Sequence, residues 1–237
     1  MVKYIRNFLP KGVSNLIIKG ILFDFDGTLG NTTDLILQSF KKTLWEFLGQ
    51  EVDNNAIIKT FGLPLRQGLA EFAPGREEEM VAYYRNYNNI MHDKLIKPFP
   101  YVKEGLASIR KMGIKAAVVT SKTSQTATRG LRCLDIEEYI SVVIGCDLCS
   151  KHKPDPYPML LGAQALGLKP MECLCVGDSP YDLLSGKAAG CRTVAVEWSS
   201  FDKTLFNKLV IPDLTIKKLT DLPKIIKTIN QKEKSNA

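Results

Sequence analysis

The chain has 237 residues, 45% of them hydrophobic and 24% charged, a balance that suits a soluble globular fold of one large or two modest domains. It holds no apolar run of about 18 residues, and residues 1–11 mix Lys3, Arg6 and Lys11 with apolar ones instead of building the centre of a secretory signal, so a cytoplasmic protein with no membrane partner is expected. The net charge of +7 falls largely on lysines of helix faces and of the tail, which reads as a solvated basic surface; no helix-turn-helix or RNA-binding aromatic signature accompanies it, and no nucleic-acid partner is expected.

Residues 1–17 form an amino-terminal extension with no assigned structure. The apolar run Ile21-Leu22-Phe23 then leads into Asp24, Asp26 and Gly27, which predicts a buried strand that ends at Asp24 and turns. Leu35, Ile36, Phe40, Leu44, Phe47 and Leu48 fall at helical spacing, with Asn31, Thr32 and Thr33 as N-cap candidates and Gly49 as a stop. Three more helices are expected over Asn54 to Phe61 (capped by Asp53), Leu65 to Phe72, and Glu77 to about Leu95, whose first turn is acidic. Residues 31–97 thus read as an all-helical block inserted into something else.

Helix and strand alternate from Val102 onward. Helices are expected over Val102–Met112, Thr123–Leu134, Tyr157–Leu166 and Tyr181–Ala189, and strands over Ile114–Val119, Val142–Ile144, Cys173–Val176 and Thr193–Val196. Lys153-Pro154-Asp155-Pro156 is a loop, since each proline denies helix to the residue before it. A short last strand over Ile211–Leu214, a closing helix over Leu222–Ile229 and a frayed polar tail from Gln231 complete the chain. This alternation implies an α/β fold: a Rossmann-like, three-layer α/β/α core with a mostly parallel sheet, made of residues 1–30 and 98–237, with the helical block 31–97 as a second domain.

Six cysteines in a chain this long do not form a disulfide framework. Cys146 and Cys149, with His152 close behind, have half the spacing of a zinc site, but no second pair completes it, and reduced thiols are the favoured reading.

Four groups of polar residues follow predicted strands or their loops: Asp24 with Asp26, Thr120 with Ser121, Lys153, and Asp178 with Asp182. In a parallel sheet the strand carboxyl ends share one edge, where ligands bind. Two acids there can divide labour, one attacking an electrophile and the other moving a proton. A phosphoryl dianion repels a carboxylate nucleophile, so positive charge and fixed donors are needed; Lys153 offers the first and Thr120 the second. A hard divalent cation bridging carboxylate and phosphate oxygens suits Mg2+, with Asp24 and Asp178 as natural ligands, while Asp182 reaches the ion through water or orients a ligand.

Asp24-Phe25-Asp26-Gly27-Thr28-Leu29, Thr120, Lys153-Pro154-Asp155-Pro156 and Gly177-Asp178-Ser179-Pro180-Tyr181-Asp182 together resemble, in order, the four motifs of the haloacid dehalogenase-like superfamily, in its phosphatase branch. The resemblance implies that Asp24 is a nucleophile forming an aspartyl-phosphate, that Asp26 is the general acid/base and also a metal ligand through its carbonyl, and that Thr120, Ser121 and Lys153 lie at the phosphate. It implies Mg2+ on Asp24, Asp26 and Asp178 with Asp182 in support, and a small phosphorylated substrate. An acid at position 26, which the superfamily's dehalogenases lack, favours phosphoryl transfer. Residues 31–97 resemble the C1-type helical cap. The turn Gly62-Leu63-Pro64-Leu65-Arg66 resembles the specificity loop of phosphoglycolate phosphatases, with Arg66 as a candidate for gripping a carboxylate or second phosphate. The stretches Asn31–Ile36, Tyr84–Asn88 with His92-Asp93, and Val196–Ser199 look instead like a bacterial pyrophosphatase of the superfamily. A phosphomutase akin to β-phosphoglucomutase and a non-catalytic binding protein are the alternatives.

Overall fold

The computed structural model describes residues 17–198, 200–201, 206 and 208–235. The expected extension at residues 1–17 lies outside them but for its last residue.

Strand β1 (Gly20–Phe23) is fully buried and central. Residues 30–31 form a short strand, β2 (Gly30–Asn31), followed by α1 (Thr33–Leu48), α2 (Asn54–Ile58), α3 (Leu65–Ala70) and α4 (Glu77–Leu95). Strand β3 (Lys97–Pro98) pairs antiparallel with β2, so the helical block leaves and rejoins the sheet through one two-stranded ribbon. Then come α5 (Val102–Lys111), β4 (Lys115–Val119), α6 (Ser124–Cys133), β5 (Val142–Ile144), α7 (Tyr157–Ala165), β6 (Cys173–Gly177), α8 (Pro180–Ala189), β7 (Arg192–Val196), β8 (Leu214–Ile216) and α9 (Leu222–Ser235).

The six-stranded sheet runs β5-β4-β1-β6-β7-β8, and every pairing is parallel. Its four central strands are largely buried on both faces, as parallel sheets are when helices cover them. Side chains alternate by the strand period of two: Ile21 and Phe23 meet Leu106, Ile109, Leu131 and Ile226 of α5, α6 and α9, while Leu22 meets Met159 and Ala163 of α7. The chain winds outward in both directions from β1. The order therefore reverses where β1 lies between β4 and β6, and a crevice opens at the carboxyl ends of these three strands.

The helical block has its own apolar centre, with Phe40, Leu44, Leu69, Met80 and Tyr84 buried together. Phe40 meets Tyr84 edge-on at 5.2 Å between ring centroids. Asp53 caps α2 as expected, its carboxylate accepting from the Asn55 N–H at 2.8 Å.

Several boundaries differ from expectation: α2 ends at Ile58 and α3 at Ala70, short of Phe61 and Phe72, and two elements at the end of the chain differ as well. The last strand begins at Leu214, because Pro212 has no N–H to give a ladder and Asp213 spends its carboxylate on the N–H and hydroxyl of Thr193. The closing helix runs on to Ser235 rather than fraying from Gln231; Asn230 pins it by accepting from the Ile18 N–H at 2.7 Å and donating to the Ile18 carbonyl at 3.1 Å.

Candidate active site

Each expected group emerges at the same sheet edge. Asp24 follows β1 directly, Thr120 follows β4, Asp178 follows β6, and Lys153 reaches in from the loop after β5; all four are buried. Asp182 lies in the first turn of α8, where sequence and capping chemistry fix it. Ser179 is the N-cap, its hydroxyl accepting from the Asp182 N–H while Asp182 Oδ2 accepts from the Ser179 N–H (3.0 Å) and hydroxyl (2.6 Å). The other oxygen, Oδ1, faces Lys153 Nζ at 2.6 Å. Both oxygens of Asp182 are thus engaged, which makes it an orienting group.

Lys153 Nζ also donates to Asp24 Oδ1 at 2.8 Å and to the Val119 carbonyl at 2.7 Å. An ammonium has three N–H donors, and all three are used. Lys153 therefore offers a phosphate its charge rather than a free proton. Its pKa is raised: burial works against the charged form, but Asp182 and Asp24 outweigh it.

Among the described residues, Asp24, Asp178 and Asp182 form a group whose ligand oxygens lie within 4.8 Å of one another. Three buried carboxylates face one buried ammonium, and burial together with this imbalance raises the carboxyl pKa of two of them. Burial pushes Asp24 up to about 7, aided by Asp182 and Asp26 and opposed by Lys153. Burial raises Asp178 well above the usual carboxylate range, again with Asp182, Asp24 and Asp26 adding. The donor set fits Mg2+: hard oxygen ligands at one point, with room for a divalent charge to balance them. The turn at Gly27 fits as well. Its φ is +73°, and a Cβ there would stand 2.1 Å from Asp178 Oδ2, so only glycine lets this loop close on the acids.

Asp26 lies apart from the triad and is half-buried. Its Oδ1 accepts from the Thr32 hydroxyl at 2.6 Å and faces Lys122 Nζ at 3.2 Å. Thr32 does occupy the N-cap position of α1, but its hydroxyl makes no capping bond because it is spent on Asp26. Sequence reasoning assigned Thr32 only to capping and passed over Lys122; the one available signal was a lysine directly after the strand-end pair Thr120-Ser121. Thr120 accepts from the Lys122 N–H at 3.2 Å, and its own N–H is used by the Ile144 carbonyl, which leaves its hydroxyl as the donor.

A cavity of about 640 Å3 joins the sheet edge to the helical block, lined below by Asp24, Asp26, Thr120 and Asp178 and above by Arg66, Tyr84 and Arg85, among others. Ser121 lines it too, but its hydroxyl donates to the Gly62 carbonyl at 3.4 Å, tying the core to the turn between α2 and α3. Gly62 has φ +81°, and a Cβ would come within 2.8 Å of the Tyr181 ring. Arg66 lines the cavity but is exposed and paired, its Nε 2.7 Å from Glu78 Oε1.

Asp24, Asp26, Thr120, Lys153, Asp178 and Asp182 thus gather at the switch point of a parallel sheet, beneath one cavity. The family profile of haloacid dehalogenase-like hydrolases matches residues 21–196, and the chain belongs to that family. It is 42% identical to the PpaX protein of Caldanaerobacter subterraneus subsp. tengcongensis over 216 residues, which covers 91% of this chain and 98% of the relative. It is 35% identical to the pyrophosphatase PpaX of Halalkalibacterium halodurans over 209 residues, 88% of this chain and 97% of that one. A solved structure from Bacteroides fragilis, described as a haloacid dehalogenase-like hydrolase, superposes with a TM-score of 0.81 at 25% identity, over 86% of this chain and 99% of that one.

Proposed function

We propose that the chain is a Mg2+-dependent phosphatase whose substrate is inorganic pyrophosphate. The reading is carried by the convergence of Asp24, Lys153, Asp178 and Asp182 beneath one cavity, in a chain similar along nearly its whole length to proteins named as pyrophosphatases.

In this reading an Asp24 oxygen attacks the nearer phosphorus, and the bridging P–O bond breaks. Asp26 protonates the departing phosphate. It then takes a proton from water, which attacks the aspartyl-phosphate, breaks the bond to Asp24 and releases orthophosphate. Asp24, Asp178 and the Asp26 carbonyl would hold Mg2+, which would neutralise phosphoryl charge and let the carboxylate approach. Lys153 orients Asp24 and Asp182, and Thr120 and Ser121 meet the transferred phosphoryl group. Residues 1–30 and 98–237 form the catalytic core, and residues 31–97 act as a cap that swings on the β2–β3 ribbon and excludes water during phosphorylation. Among the described residues no helix is long and apolar enough to cross a membrane; we place the enzyme in the cytoplasm.

A second reading, phosphoglycolate as substrate, rests on the Gly62–Arg66 turn at the cavity. Phosphate release from pyrophosphate, phosphoglycolate and p-nitrophenyl phosphate, each with Mg2+ and with EDTA, separates the two. Mg2+-dependent preference for pyrophosphate is expected. Preference for phosphoglycolate selects the second reading, and no release from any of them removes the phosphatase assignment. Asp24→Asn is expected to abolish turnover with the fold intact; near-normal activity would remove the nucleophile from position 24.

A further inference from the structure

Pyrophosphate differs from an ordinary phosphoester in that its departing half is a second phosphoryl group, charged before the bond breaks as well as after, which needs a cation of its own. Among the described residues three cations line the cavity: Arg66, Arg85 and Lys122. Arg66 is bridged to Glu78, which lines the same cavity and would repel an anion beside it. Lys122 faces Asp26. Arg85 makes no hydrogen bond or ion pair among the described residues, so it alone of the three has its charge uncommitted.

Its position suits the task. Tyr84, Arg85, Asn88 and Asn89 all line the cavity, so α4 turns this stripe toward the sheet edge. Tyr84 and Asn88 are buried, and the Asn88 amide is spent on Ser39 at 3.0 Å and on the Tyr84 hydroxyl at 3.5 Å. Arg85 is exposed at the mouth, and its charge reaches across to Cys146 of the core, where it opposes the upward push of burial on that thiol. A guanidinium at the cavity's edge presents a planar fork that matches two phosphoryl oxygens.

We infer that Arg85 binds the phosphoryl group that departs, and that it thereby selects pyrophosphate over esters whose departing part carries no second phosphoryl group; the inference rests on the pyrophosphatase reading. Arg66, the cation that the sequence pointed to, does not have this role.

The test compares kcat/KM for pyrophosphate and p-nitrophenyl phosphate, with Mg2+, in the wild type and in Arg85→Ala, Arg85→Lys and Arg66→Ala. Loss of a charge-assisted pair is expected to cost Arg85→Ala about tenfold or more on pyrophosphate. On p-nitrophenyl phosphate the same variant should stay within about twofold. Arg85→Lys should recover part of the loss, and Arg66→Ala should affect both substrates alike. Equal loss on both substrates in Arg85→Ala, no loss on either, or selective loss of pyrophosphate in Arg66→Ala would overturn the assignment. A wild type that cleaves the ester and not pyrophosphate removes the pyrophosphatase reading and Arg85's role with it. A wild type that cleaves pyrophosphate no better than Arg85→Ala does removes the role alone.

Discussion

Lys153 Nζ lies 2.6 Å from Asp182 Oδ1, and both side chains are almost sealed from solvent. The same ammonium holds Asp24 Oδ1 at 2.8 Å. One cation thus holds both the nucleophile candidate and a helix-borne carboxylate, and its own charge is kept by them.

Replacing that cation leaves two buried carboxylates without compensation. Lys153→Met is expected to lower the unfolding free energy by about 3–5 kcal/mol at pH 8, and by less at pH 5, where the buried carboxyls are relieved by protonation. Phosphate release should vanish in the same variant. Urea denaturation in EDTA beside an activity assay checks both; a wild-type midpoint would mean that the pair contributes nothing to the fold.

The acids also predict a pH dependence. Burial raises the Asp24 carboxyl from 3.8 to about 7, and Asp178 moves the same way. A carboxyl raised in the folded state binds more protons there than in the unfolded chain, so stability falls as pH rises from near 4 through 7. Metal-free protein should therefore melt at a lower temperature at pH 8 than at pH 5. Asp24→Asn should lose much of this slope and gain on the wild type as pH rises. Added Mg2+ should stabilise the wild type more at pH 8 than at pH 5 and release protons, which titration calorimetry in two buffers measures. Parallel melting curves for the two proteins across this range would remove Asp24 as the source.

What could be read from residues alone was whatever is local in sequence. Apolar runs gave the strands, and acids or hydroxyls directly after them had to meet at one edge once the sheet was parallel. Contacts between distant elements carry no such signal. Thr32 looked like an N-cap because it precedes a helix, yet its hydroxyl goes to Asp26. Lys122 drew no notice in the sequence; only the pairing of β4 with β1 brings it to Asp26. Arg66 was more conspicuous than Arg85 because it sits in a Gly/Pro turn; only the bridge to Glu78 shows that its charge is taken. The last strand was displaced because Ile211 looks like core but is 66% exposed, with Pro212 beside it.

Gly27 tests how tightly the acids are packed. At φ +73° an alanine is strained by about 1–2 kcal/mol, and its Cβ, 2.1 Å from Asp178 Oδ2, forces that carboxylate aside. Gly27→Ala is expected to keep the helical and parallel-sheet signature in circular dichroism while weakening Mg2+ binding and cutting phosphate release at least about tenfold. Gly49 has a similar φ of +65° but nothing within 4 Å of a built Cβ, so Gly49→Ala carries the backbone strain alone. Equal activity in the two variants would mean that the contact with Asp178 is unimportant.

Thr32 tests whether Asp26 must be held. The residue is fully buried at the joint between β2 and α1, and its hydroxyl donates to Asp26 Oδ1 at 2.6 Å. Without it Lys122 alone restrains that carboxylate, from 3.2 Å. A proton carrier must lie within reach of the leaving oxygen, so a freely turning Asp26 spends less time there. Thr32→Val keeps the shape and removes the hydroxyl; kcat is expected to fall about tenfold, the worth of a hydrogen bond to a charged group, with KM within about twofold. Thr32→Ser restores the donor and should restore kcat. If both variants lose activity alike, the methyl packing at the joint matters and the hydroxyl does not; if neither does, Asp26 is positioned by Lys122 and the backbone of its own turn.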